Sequence, residues 1–138
     1  MTFREMCQDL ENRLTSSYED GVSIEDAERL AARFLVAQIA VSKELKNHDL
    51  DARTRKSGLK AIRAAVYLEI VQESVAGSGK KPTVDHVAAL VDVHAIVQQE
   101  QNALDTAEVD RADLERYFDI FTNSHIYFRG ISKGNFHG

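Results

Sequence analysis

The sequence is poor in the residues that interrupt or cross-link a chain: one Pro, one Cys and seven Gly in 138 residues, and no Trp. Pro breaks a helix and Gly weakens it, so their scarcity points to long uninterrupted helices. The lone Cys7 excludes an intramolecular disulfide, so the fold must rest on packing, and a reducing compartment fits that. No run of roughly 18 apolar residues occurs, and Met1-Thr2-Phe3-Arg4-Glu5 lacks a basic head followed by an apolar stretch. A soluble cytoplasmic protein with no membrane span is the expectation. At this length a single domain with a sizeable core is expected, and two ordinary domains are not.

What is present is charge, unevenly placed. The formal net charge of −5 hides an asymmetry: residues 1–42 carry four basic and eight acidic side chains, residues 82–128 two and nine, and residues 43–81 nine and five. Attraction for a polyanion is thereby confined to one zone.

Thr2 and Glu5 form a capping-box pattern, and Phe3, Met6, Leu10 and Leu14 follow at helical spacing, which predicts a first helix over residues 3–17. Ser23 reads as the next N-cap, with Glu25 and Asp26 suited to a positive helix end. From Ile24 a heptad frame runs through Ala27, Ala31, Phe34, Gln38, Val41, Leu45, His48, Ala52, Arg55, Leu59, Ile62 and Val66. Ile24 and Leu59 are five whole heptads apart, and a loop between them would have reset the phase. One helix over residues 23–76 is therefore expected, with left-handed supercoiling against a partner.

Residues 77–82 read as a turn, with Thr83 capping the return helix. The Gly77-Ser78-Gly79-Lys80 run is not a phosphate loop: Lys81 stands where Ser or Thr is required, Ser74 where Gly is, and the preceding element is helical. A second heptad run continues through Leu90, Val93, Val97, Glu100, Leu104, Ala107, Arg111, Leu114, Phe118, Phe121, His125 and Phe128, and predicts one helix over residues 83–129, with Gly130 at C′ and a tail over residues 130–138. Two long helices joined by six residues fold back on each other. Counting from the turn sets Val66 near Val93, Leu59 near Glu100, Val41 near Phe118 and Phe34 near His125. The expected fold is all-α: a long antiparallel, coiled-coil-like hairpin with the first helix packed at its open end. Six of the ten aromatics fall in residues 117–136, and the polar run Gln98-Gln99-Glu100-Gln101 suits a monomer core poorly, so self-association is expected, with Phe118, Phe121, Tyr127 and Phe128 as its contacts.

The candidate site is a cationic stripe. Arg53, Lys56, Lys60 and Arg63 follow 3, 4, 3 spacing, beside the apolar line of Leu59, Ile62 and Val66. The bland reading is a solvated face, or one paired with Glu100, Asp105 and Glu108. The functional reading is a phosphate backbone held without base readout, with Tyr67 as a stacking or a packing residue. The histidines show no ligand spacing beyond the Glu44/His48 pair, which has no counterpart on the return helix, so neither a di-iron centre nor another metal site is expected. Cys7 reads as a packing residue. No nucleophile with a base near it in sequence and no spaced acidic pair suggests an enzyme, and no cofactor is implied.

Three segments resemble the UvsY-like recombination mediator family of tailed phages: Lys56-Ser57-Gly58-Leu59-Lys60-Ala61 with Arg63 and Tyr67, the Lys81-Pro82-Thr83 start of the return helix with the segment through Ala107-Glu108, and the Phe-rich C-terminal helix ending in Arg129-Gly130-Ile131. The resemblance covers most of residues 23–133. It implies a homo-oligomeric accessory protein in the host cytoplasm that binds single-stranded DNA and loads a recombinase onto DNA covered by single-strand-binding protein. Carried over by position, Lys60 and Arg63 contact DNA with Lys56 nearby. The rival expectation is a helical scaffold or assembly adaptor of a phage particle. A small regulatory DNA-binding protein is disfavoured by the lack of a short helix-turn-helix pattern.

Overall fold

The computed structural model describes residues 1–134; Phe136, counted among the aromatics above, and the last of the histidines, His137, lie outside them. The described residues form four helices and no strand: α1 (Phe3–Asp20), α2 (Ile24–Ser78), α3 (Val84–Val93) and α4 (Ala95–Ser132). By its contacts the chain divides into two compact units, one of residues 1–47 with 112–138 and one of residues 48–111.

The helix starts follow the sequence. Thr2 accepts from the Glu5 amide at 3.1 Å while Glu5 accepts from the Thr2 amide at 2.9 Å, a complete capping box. Ser23 accepts from the Asp26 amide at 3.2 Å and Thr83 from the His86 amide at 3.3 Å, each satisfying an orphan donor of a first turn. Helix ends run further than expected. α1 stops at Asp20, before Gly21 with φ +77°, and α2 reaches Ser78, before Gly79 with φ +70°. Both glycines occupy a left-handed region that other residues avoid. Gly130 is not a cap: α4 passes through it to Ser132, and the positive-φ glycine beyond is Gly134.

In the first unit three helices enclose a core in which Phe34, Phe121, Phe128, Val41, Ala27 and Cys7 have no exposed surface. The Phe34 ring lies 5.6 Å from that of Phe121 and 5.7 Å from that of Phe128. These two residues flank His125 by one turn on each side, so the expected register of Phe34 against His125 holds. His125 Nδ1 donates to the Ala31 carbonyl at 2.8 Å. α1 is fixed to α4 by Arg4 with Asp113, by Arg116 with Glu11 at 2.7 Å, and by the Tyr18 and Tyr127 rings at 5.2 Å. Rising numbers meet rising numbers, so α1 runs parallel to α4.

In the second unit Leu59 and Val66 of α2 pack on Val87 and Val91 of α3 and on Val97 and Leu104 of α4. The ion pairs of Asp49 with Arg111 and of Arg63 with Asp92 join rising to falling numbers, so the return strand of helix is antiparallel. The return is not one helix, however. His94 leaves helical geometry at φ −65°, ψ 131°. Its amide donates to the Val91 carbonyl, its own carbonyl accepts from the Gln98 amide, and its Nδ1 accepts from the Ile96 amide at 3.3 Å. One residue therefore closes α3 and opens α4. The break resets the phase: Val87 and Val91 face the core, while Leu90 and Val93 stay 39% and 65% exposed. The expected pairing of Val66 with Val93 does not form. From Val97 onward the expected frame holds, with Val97, Leu104, Ala107, Leu114, Phe121 and Phe128 all buried.

Candidate nucleic-acid interface

The stripe lies in the second unit, on a helix that stays unbroken from Asn47 through Gly58. Gly58 keeps helical backbone, and open space surrounds its missing Cβ. Arg53, Lys56 and Lys60 are exposed and Arg63 is half-buried, so the four cations do share one side of α2.

Their electrostatics differ. Arg53 pairs with Asp49 one turn back at 3.1 Å, and Asp49 also holds Arg111 of α4 at 3.3 Å. Arg63 pairs with Asp92 of α3 at 2.5 Å. The carboxylates that engage the stripe are thus Asp49 and Asp92, not Glu100, Asp105 and Glu108. The Asp49–Arg53 pair was readable from its i,i+4 spacing; Asp92 was not, because the break at His94 sets where α3 lies. Lys56 and Lys60 have no ion-pair partner among the described residues. Exposed ion pairs contribute little, about 0–1 kcal/mol, so Arg53 can exchange Asp49 for another anion at small cost.

Beyond Arg63 the chain forms an open cleft of about 460 Å³ lined by Arg63, Asp92, Val97, Gln98, Gln101 and Asn102. Gln101 donates to Asp105 at 2.9 Å. The Gln98 and Asn102 carboxamides make no hydrogen bond among the described residues. Two members of the polar run that reads as an unfavourable core, Gln98 and Gln101, instead line this cleft. Tyr67 packs against the second core, which assigns it to packing rather than stacking.

Of the aromatic residues expected to mediate assembly, two are buried and two, Phe118 and Tyr127, are half-buried. Phe121 and Phe128 are fully buried within the first unit, Phe118 packs against the same core, and Tyr127 is held between Tyr18 and Phe128. The physical reason is α1, which closes that end and absorbs the aromatic surface. Phe121→Asp would therefore unfold the unit rather than report on self-association.

Cys7 is buried in the same core, and desolvation, with the Glu11 carboxylate adding to it, pushes its thiol up from the ordinary 9.0. The Arg116 guanidinium is raised by its hydrogen bond to Glu11. Among the described residues no three His, Cys, Asp or Glu side chains group as metal ligands, and no helix is long and apolar enough to cross a membrane. The chain gives no significant match to any family model, curated protein or solved structure.

Proposed function

We propose that the protein is a non-enzymatic single-stranded DNA-binding recombination mediator, which helps load a recombinase onto DNA covered by single-strand-binding protein. The observation that carries the DNA-binding part is the pair of exposed ammonium groups of Lys56 and Lys60, without ion-pair partners among the described residues, one turn apart on a continuous helix and flanked by Arg53 and Arg63. Point charges on flexible stems track phosphates without reading bases. The adjoining cleft adds free carboxamide donors and acceptors beside Arg63. The recombinase and single-strand-binding protein come only from the resemblance of the three segments to the UvsY-like family.

Fluorescence anisotropy with oligo-dT at two salt concentrations tests the reading. Binding that weakens with salt, and that falls at least tenfold in Lys56→Ala with Lys60→Ala, supports it. Absence of binding at low salt refutes it. A helical scaffold or assembly adaptor without nucleic-acid binding is the second reading, favoured by the fact that Arg53 and Arg63 already hold carboxylates.

A further inference from the structure

The cleft beside Arg63 draws on three helices of the second unit: Arg63 from α2, Asp92 from α3, and Val97, Gln98 and Asn102 from the opening turns of α4. Its volume of about 460 Å³ lies in the range of small-ligand sites, about 300–1,000 Å³. Three of its polar groups keep hydrogen-bonding capacity that the fold does not use. Gln98 and Asn102 stand four residues apart, hence on the same side of α4, and neither carboxamide is hydrogen-bonded among the described residues. Asp92 accepts from Arg63 through Oδ1, and no other described residue engages its carboxylate. Val97, 1% exposed, contributes apolar surface to the lining.

What such a set recognises follows from its donors and acceptors. A carboxamide presents one of each side by side, which is the complement of a nucleobase edge; Asn and Gln pair in that way with N6 and N7 of adenine. An ionised carboxylate only accepts. Asp92 therefore calls for an N–H donor and repels a phosphate. Adenine, cytosine and guanine carry an exocyclic amino group that answers it, and thymine carries none. The phosphates are left to the neighbouring cations. At about 100° and 1.5 Å per residue, Lys56 and Lys60 lie within about 60° of Arg63 around α2, with Lys60 about 4.5 Å along the axis. A strand held there passes the mouth of the cleft.

We propose that this cleft is a base site: it takes one nucleobase bearing an exocyclic amino group, adenine best, turned in from a single strand whose phosphates lie along Lys56 and Lys60. Asp92 accepts from the amino group, the carboxamide of Gln98 or Asn102 pairs with the base edge, and Val97 meets the ring. The strand as the source of the base rests on the proposed function. The preference for an amino-bearing base does not, because a nucleoside has no phosphate for the stripe to hold.

Nucleosides test the cleft without the stripe. Titration of the full chain with deoxyadenosine should shift the side-chain amide NMR signals of Gln98 and Asn102, and thymidine should need at least about fivefold more to do the same, the low end of what one paired base edge discriminates. Anisotropy then reads the strand. Oligo-dT with every fourth thymidine replaced by deoxyadenosine should bind at least about fivefold tighter than plain oligo-dT at equal salt. Gln98→Ala with Asn102→Ala should erase that difference with helical circular dichroism unchanged. Equal response to the two nucleosides, or a base preference that survives the double Ala variant, overturns the proposal; so does an adenine-bearing strand held no tighter than an oligo-dT that does bind. A chain that answers deoxyadenosine over thymidine but binds no strand keeps the base site and loses the proposed function.

Discussion

At the scale of single residues, burial decides what chemistry a side chain retains. Cys7 is the chain's one thiol and lies at zero exposure among Leu10, Ala27, Phe34 and the other residues of the first core. Its raised pKa means that the folded state keeps the proton to a higher pH than the unfolded state does. The sign follows from linkage: below the ordinary value of 9.0 both states are protonated and the stabilisation is whole, and as pH rises past 9.0 the unfolded state ionises first and stability falls. Cys7→Ala should cost about 1 kcal/mol near neutral pH, the scale of losing one buried apolar group. That difference should shrink above pH 9.0, measured as the gap between the two urea-unfolding curves. The native thiol should also resist an aromatic disulfide reagent and react fully in denaturant. Equal rates in the two states would contradict the burial.

At the scale of elements, α2 shows how far a repeat can be read and α3 shows where reading stops. Ala27, Ala31, Phe34, Val41, Ala52, Leu59 and Val66 were placed inward by heptad phase alone and are buried. Of the other members of the frame, Ile24, at 60% exposure in the opening turn, and Arg55 are exposed, and Gln38, Leu45, His48 and Ile62 are half-buried. The caps Thr2, Ser23 and Thr83 were equally legible because their hydroxyls sit one turn before a helical run. The break at His94 left no such mark. His is not a common capping residue, and Leu90, Val91, Val93, Ile96 and Val97 crowd so closely that two different frames fit. Of the stripe, position and exposure were legible, whereas the partners of Arg63 and the cleft beside it depend on where α3 comes to rest. Continuity of α2 has its own test at Gly58, where helical backbone meets open space around the missing Cβ. Gly58→Ala should raise stability by about 0.5–1 kcal/mol, since Ala loses less backbone freedom in a helix than Gly. Thermal or urea unfolding would show it. A loss of stability of that size would mean that residue 58 lies outside regular helix.

At the scale of the whole molecule, the question is how a chain of net charge −5 could hold a polyanion. One stripe offers Arg53, Lys56 and Lys60 to solvent, and Asp49 already draws on the first of them. The local surplus of residues 43–81, nine basic against five acidic side chains, confines the attraction to this zone. For a single strand the salt slope is about −0.7 per phosphate neutralised, so three exposed cations should give one chain a slope of about −2 with oligo-dT. Lys56→Ala with Lys60→Ala should reduce it to about −0.7, read as the logarithm of affinity against the logarithm of salt concentration. An unchanged slope in a variant that keeps its helical circular dichroism would mean that the stripe does not hold the strand.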